Sequence, residues 1–313
     1  MAIVPVISLD QAVARVKGAR DAALWASPSV RAMAGAAFDL AAADLGEPPV
    51  VPGGCDLLVA VGGGTLLDRA KWAAKGQERK IDLIAVPSIW GSGAEASKVV
   101  VLDDHGRKTI HVHDDLLPDA RVVWPDLAAS VPDSLAADAC GDAWSHALEG
   151  FWSPLASDAL REELSTLMRS MLTLPIGSDA RWFEPSARAC AGQAGSSVGL
   201  IHGLAHALEA PLRAAQPRAG WGHARLCALM LRPVMAFNLA TSDKPGVLLA
   251  RHELDAQALG AVFDRLYDSD RARAALPVLK EHWKAVLRDP CTRTNVALVR
   301  PAALEYFEKA LGS

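Results

Sequence analysis

No apolar run in this chain reaches the roughly 18 residues that a membrane-spanning helix needs, so no span is expected. No stripe of lysine and arginine points to nucleic acid, and no block of like charge points to a disordered tail. The opening Met1-Ala-Ile-Val-Pro-Val6 has neither a basic stretch nor a cleavage signature, so no secretory signal is expected. The five cysteines (Cys55, Cys140, Cys190, Cys227, Cys291) are odd in number and scattered. That argues against a disulfide framework and for reduced thiols in a cytoplasmic protein. What remains is 313 residues, 51% hydrophobic, with a net charge of −4. Such a chain holds one large or two ordinary domains.

The order of apolar and turn residues divides the chain. Residues 9–18 read as a short amphipathic helix and 22–26 as a buried strand. Ser27-Pro28 reads as an N-cap with proline at the first helical position, opening a helix to about Ala43. Residues 46–54 are loop or at most one short strand. Asp56-Leu-Leu-Val-Ala-Val61 is apolar enough for a parallel strand covered on both faces. Gly62-Gly-Gly-Thr65 follows directly, and a helix starts at Leu66. A second strand over 82–86 runs into Pro87-Ser-Ile-Trp-Gly-Ser-Gly-Ala-Glu95. Residues 98–102 and 109–113 suggest a hairpin, and 121–124 a last short strand. After Pro132 the pattern is helical, as in 158–174 with Leu160, Leu164, Leu167, Met168 and Met171 at helix spacing. The expected architecture is an α/β parallel-sheet domain of Rossmann type over 1–130, then an all-helical domain over 131–313.

Two features carry chemistry. Asp142 and His146 stand four apart, as do His202 and His206, and His223 follows alone. On a helix that spacing puts two side chains on one face. An aspartate with several imidazoles is a donor set for a divalent first-row metal. A surface i,i+4 pair is the plain alternative for Asp142 and His146, and a satisfied core histidine the plain alternative for His206. The second feature is the glycine loop. A strand, three glycines and a helix start let the backbone and its free N–H groups approach a phosphate, although a tight turn alone explains the same residues. Asp68 and Lys71, one turn apart, divide evenly between cofactor contacts and a simple ion pair.

These motifs together resemble the iron-containing, or group III, metal-dependent alcohol dehydrogenases. That family shows Gly-Gly-Gly-Ser-x-x-Asp-x-x-Lys, and here stands Gly62-Gly-Gly-Thr-Leu-Leu-Asp-Arg-Ala-Lys71. It shows Pro-Thr-Thr-x-Gly-Thr-Gly-Ser-Glu, against Pro87 to Glu95. It shows Asp-Ala-x-x-His-x-x-Glu, intact here from Asp142 to Glu149, then His-x-x-x-His and a further His, matched by His202, His206 and His223. The resemblance covers residues 55–240 well and implies the dehydroquinate synthase-like architecture. It implies Asp142, His146, His202 and His223 as metal ligands, with iron first and zinc second as the metal. It implies His206 as the histidine near the nicotinamide that relays the hydroxyl proton. Gly62, Gly63, Gly64 and Thr65 would hold the pyrophosphate of NAD or NADP, helped by Asp68. Ser88, Gly91, Ser92 and Lys108 would lie along the cofactor. The implied activity is interconversion of an alcohol and an aldehyde or ketone, in the direction of aldehyde reduction, by a homodimer.

Three departures stand out. The dozen residues between Ala43 and Asp56 are too few for a second strand and helix, and neither Asp44 nor Glu47 stands where the family's ribose-binding acid belongs, which leaves NAD against NADP open. The stretch from His202 to His223 is long and carries Arg213 and Arg218, with Arg225 just beyond; a solvated loop is the plain reading, and an arginine set for an anionic substrate the alternative. Ile89 and Trp90 replace small residues in the second glycine loop, and Trp90 would narrow the cofactor slot. A dehydroquinate-synthase-like lyase or cyclase is the second reading, although the aspartate-led ligand pattern speaks against it. A metal-binding descendant without nucleotide binding is the third.

Overall fold

The computed structural model describes residues 4–43, 50–76, 80–104 and 107–312. The chain forms two compact units, one of residues 1–132 with 178–191 and one of 133–177 with 192–313. The first unit thus takes in a segment from the helical half that the sequence pattern does not assign to it.

The first unit is built on a parallel six-stranded sheet. Its strands are β1 (Val6–Ile7), β2 (Ala22–Ala26), β3 (Ala42–Ala43), β4 (Leu57–Gly62), β5 (Asp82–Pro87) and β8 (Ala120–Val122), in the order β1-β8-β5-β4-β2-β3. The antiparallel hairpin of β6 (Val99–Asp104) and β7 (Arg107–Val112) stands apart from that sheet. Helices α1 (Leu9–Gly18), α2 (Arg31–Phe38), α3 (Gly64–Lys75), α4 (Pro125–Ala129) and most of α7 (Phe183–Gln193) complete it. β4 explains why the sheet is covered twice. Leu57, Val59 and Val61 join a cluster with Phe38 and Trp124. The alternate residues Leu58 and Ala60 join another with Trp25 and Leu67. Period-two alternation with apolar residues on both faces is what a central parallel strand requires.

α1 starts where expected, because Ser8 and Gln11 form a reciprocal capping box. The helix expected from Pro28 to Ala43 is shorter, running only over Arg31–Phe38. Asp39 adopts a left-handed conformation (φ 53°) as its C-cap, and the chain then pairs as β3 with Leu24 and Trp25 of β2. Sheet hydrogen bonds win over alanine's helix preference there. The sheet therefore has an edge strand beyond β2, reduced to the two residues Ala42 and Ala43. Asp44, Glu47 and His105 lie outside the described residues.

The second unit is helical: α5 (Asp133–Trp152), α6 (Asp158–Met171), the end of α7 (Phe183–Gln193), α8 (Leu200–Ala215), α9 (His223–Thr241), α10 (Asp243–Arg251), α11 (Ala256–Leu266), α12 (Ser269–Arg288), α13 (Pro290–Arg293) and α14 (Ala303–Gly312). Every residue from Ala139 to Trp152 of α5 is buried, so its polar groups lie inside the unit's core. His252 is buried too. Its ring meets Phe151 edge-on, and its Nδ1 lies 3.1 Å from Glu162.

Candidate functional site

In the first unit, two glycine loops leave neighbouring strands side by side. Gly62 at the end of β4 pairs with Pro87 at the end of β5, and the Ser88 N–H donates to the Gly62 carbonyl at 2.9 Å. Ser27 leaves β2 beside them, its N–H bonded to the Val61 carbonyl at 2.9 Å. The start of α3 and Ser27 line a pocket with Gly63, Gly64, Thr65, Leu66 and Arg69. Gly63 is the N-cap, so no side chain occupies the first N–H groups of α3. Glycine is required at 64, where a Cβ would stand 2.5 Å from the Ser92 hydroxyl of the second loop. In that loop Gly91 has φ 106°, and its N–H donates to the Ser186 hydroxyl at 2.7 Å. Ser27 and Arg69 escaped the sequence reading, since nothing but topology brings β2 beside the loop.

Other expectations for this unit need correction. Asp68 is buried, with Oδ1 3.0 Å from the Lys71 ammonium and Oδ2 accepting the Val101 N–H at 3.0 Å. Its carboxylate is occupied inside the unit, and the ion-pair reading of Asp68 and Lys71 describes the pair better than cofactor contact. Trp90 is buried and packs edge-on against Phe183, with ring centroids 5.6 Å apart, so its bulk goes to the core. Lys108 lies on β7, but its side chain is outside the described residues.

Glu95 closes the second loop as a fully buried acid whose Oε1 lacks a hydrogen-bond partner among the described residues. Burial pushes its carboxyl up from 4.5 to about 7, against the pull of Arg121 and Lys71. The folded chain thus holds this proton more tightly than the unfolded one. The group's contribution to stability is complete below pH 4.5 and is lost as pH rises through about 7. Glu95→Gln is expected to gain about 3 kcal/mol over the wild type at pH 8, with no gain at pH 4. Urea unfolding at the two pH values checks this, and equal midpoints at pH 8 would refute it.

The second unit gathers the other expected residues. α5 carries Asp142 and His146, α8 carries His202 and His206, and α9 opens on His223. Asp142 Oδ1 lies 4.0 Å from His146 Nδ1 and 3.9 Å from His223 Nε2. The His202 ring centre is 4.6 Å from that of His146 and 5.4 Å from that of His223. Asp142 Oδ1 and His202 Nε2 are buried and have no hydrogen-bond partner among the described residues. Desolvation, helped by the nearby His146, holds the His202 imidazole well below its usual pKa, hence neutral. Buried lone pairs on a neutral imidazole and a carboxylate, turned toward one point, fit a divalent metal.

Glu149 orients this cluster. Its Oε2 lies 2.7 Å from His202 Nδ1 and accepts the Gly199 N–H at 2.8 Å, while Oε1 accepts the Ile201 N–H. One carboxylate thus caps α8 and fixes the ring that presents Nε2 to the cluster. Burial pushes the Glu149 carboxyl up to about 7, against three backbone N–H groups that hold it down.

The helices that supply the cluster meet through Gly141. A Cβ there would stand 2.3 Å from the Ala228 Cβ and 2.6 Å from its Cα. Gly141→Ala must therefore push α9 away from α5. The expected cost is about 1–3 kcal/mol, beyond the helix propensity that alanine adds, together with weaker metal retention. Thermal melts and metal analysis test this, and a variant as stable and as metal-retentive as the wild type would sink it.

Cys227, one turn after His223, was not singled out from the sequence, although i,i+4 spacing was the available signal. Its Sγ lies 3.6 Å from His223 Nε2, and it belongs to the group of close donor atoms with Asp142, His202 and His223. Burial holds its thiol well above the usual pKa. His206 stands beside the cluster, stacked on His223 at 5.4 Å, with Nδ1 3.3 Å from Asp289 Oδ2. Two of the three arginines are committed elsewhere. Arg225 pairs with Asp138 at 2.9 Å and donates to the Ala219 and Gly220 carbonyls, while Arg213 pairs with Glu209 and donates to the Trp221 carbonyl. Both hold the 216–222 loop, which removes them from the expected anion-binding set.

A glycine-loop sheet unit and a helical unit with a buried Asp–His cluster make up the architecture of a metal-dependent dehydrogenase. Residues 50–125 match the family model for iron-containing alcohol dehydrogenase. The chain is 30% identical over 297 residues to the probable alcohol dehydrogenase EutG of Salmonella typhimurium, covering 82% of this chain and 73% of that one. In fold it is similar to an iron-containing alcohol dehydrogenase from Thermococcus thioreducens (TM-score 0.77, 21% identity, 99% and 98% of the two chains). It is also similar in fold to the sulfoacetaldehyde reductase of Bifidobacterium kashiwanohense, solved with NAD+ (TM-score 0.70, 20% identity, 99% and 97% covered). The chain belongs to the iron-containing alcohol dehydrogenase family.

Proposed function

We propose that this enzyme, an NAD(P)-linked and metal-dependent alcohol dehydrogenase, works as an aldehyde reductase, with Asp142, His146, His202 and His223 holding the metal. The observation that carries this reading is the buried cluster, in which Asp142 Oδ1 and His202 Nε2 have no hydrogen-bond partner among the described residues. When bound, the metal supplies Lewis acidity toward the substrate oxygen and the nicotinamide supplies the hydride. The chain's own part is placement. Gly63, Gly64 and Thr65 offer backbone N–H groups at the start of α3 to the pyrophosphate, with Ser88, Gly91 and Ser92 along the second loop. Glu149 holds the His202 ring in one orientation. His206, its Nδ1 tied to Asp289, keeps Nε2 for moving the hydroxyl proton.

A homodimer in a reducing compartment is the accompanying reading. β1 lies at the sheet edge with Val6 exposed, which supports pairing with a second copy. All five cysteines are buried thiols outside any disulfide, which supports a cytoplasmic location. No described helix is long and apolar enough to cross a membrane.

The test is titration of the metal-analysed protein with NADH and NADPH, followed by nicotinamide fluorescence and repeated on His202→Ala. Tight binding of one nucleotide, with about one equivalent of metal lost in the variant, is the expected result. Metal without nucleotide binding would overturn the redox reading. Turnover with no net change in nicotinamide absorbance would favour a lyase that regenerates its NAD.

A further inference from the structure

Beside the cluster described above, the helical unit holds a second set of donor atoms. His206 Nδ1, an Asp289 carboxylate oxygen and Cys291 Sγ all lie within 4.8 Å of one another. Nδ1 is 3.3 Å from Asp289 Oδ2 and 3.9 Å from the sulfur. For a tetrahedral zinc with ordinary bond lengths, nitrogen–oxygen and nitrogen–sulfur separations come to about 3.4 and about 3.6 Å. The observed spacing is within a few tenths of an ångström of that geometry.

The elements hold these atoms in place. Asp289 is the N-cap of α13, with Oδ1 accepting the Cys291 N–H at 2.8 Å, which leaves Oδ2 for His206. α13 comes close to α8 at Gly203, where a Cβ would stand 2.1 Å from the Thr292 hydroxyl. The site opens to solvent, since the His206 and Asp289 side chains are 17% and 15% exposed. An ion can enter without unfolding the unit.

We propose that His206, Asp289 and Cys291 form a second metal site, selective for a thiophilic divalent ion such as zinc, with water in its fourth position. On binding, the Cys291 S–H bond breaks and a metal–sulfur bond forms, the proton leaving to solvent. His206 gives Nδ1 as donor and carries its proton on Nε2. The thiolate and carboxylate together neutralise the dication, so a charged first cluster nearby does not forbid it. The site stands on its own donors and requires no metal in the first cluster. If His206 relays the substrate proton, zinc held there slows turnover.

Cobalt is the probe, because a thiolate ligand gives cobalt(II) a charge-transfer band that imidazole and carboxylate do not. The metal-free protein is expected to bind two equivalents of cobalt, the band rising with the one held by Cys291. Cys291→Ser should keep one equivalent and lose the other together with the band. Asp289→Asn preserves the N-cap and should weaken the same equivalent about tenfold or more. Asp142→Asn should remove the other equivalent and leave the band, so failure of the first cluster is read separately. A wild type whose cobalt uptake at excess metal is unchanged in Cys291→Ser overturns the proposal. So does a band that survives Cys291→Ser and disappears in Cys227→Ser, because the thiolate then belongs to the first cluster.

Discussion

Glu149→Ala is expected to lose metal on dialysis and to unfold at a markedly lower temperature. The carboxylate accepts from two buried N–H groups at the start of α8, those of Gly199 and Ile201, and holds the Nδ1 side of His202. Each buried donor left without a partner costs about 1–3 kcal/mol, so loss of the cap amounts to about 2–6 kcal/mol. Loss of the Nδ1 partner frees the imidazole to rotate, and such outer partners are worth about 10–100-fold in metal affinity. Glu149→Gln separates the two effects. Its amide oxygen still accepts one backbone N–H, but its NH2 faces donors on the other side. It should fold better than the alanine variant while still binding metal weakly. Competition against a chelator provides the measurement. If Glu149→Gln retained wild-type metal affinity, the orienting role of Glu149 would be wrong.

Lys71→Met is the second large effect. The Lys71 side chain is fully buried, and its ammonium bonds to Asp68 and to the carbonyls of Ala94, Ser97 and Val99. These contacts tie α3, which begins at the first glycine loop, to the chain leaving the second. Methionine keeps the length and the apolar stem but strands a buried carboxylate and three carbonyl oxygens. Breaking one side of a buried ion pair costs about 3–5 kcal/mol. The urea midpoint should fall accordingly. Nucleotide binding should weaken even under conditions where the variant remains folded, because the two loops lose their common anchor. The double variant Lys71→Met with Asp68→Asn should recover part of the stability, since it removes the stranded charge; no recovery would place the cost elsewhere.

Much of this could be read directly from residue order. β4 is legible because five consecutive apolar residues, Leu57 to Val61, end in three glycines, and a central parallel strand leaves little other use for such a run. The helix pairs are legible because i,i+4 spacing puts Asp142 with His146 and His202 with His206 whatever surrounds them. Amphipathic spacing marked residues 9–18 as α1, whereas the cap read at Ser27 did not open α2, which starts at Arg31. These are local properties, set by backbone geometry within a few residues.

What spacing could not reach are contacts between residues far apart in the chain. Glu149 meets His202 across 53 positions, and His206 meets Asp289 across 83. Asp289 and Cys291 carry no pattern of their own and become donors only because Gly203 lets α13 close on α8. The arginines of the 213–225 stretch look available for an anion in sequence, yet two of them bond to their own loop. The end of α2 was decided by the sheet, since pairing of Ala42 and Ala43 with β2 outweighs the weak helical preference of an alanine-rich segment. Sequence alone thus determined which elements form and which side chains share a helix face, because those follow from a repeat of 3.6 or 2 residues. Tertiary structure decided which buried polar atom finds which partner, because in a low-dielectric core every such atom must be matched in three dimensions.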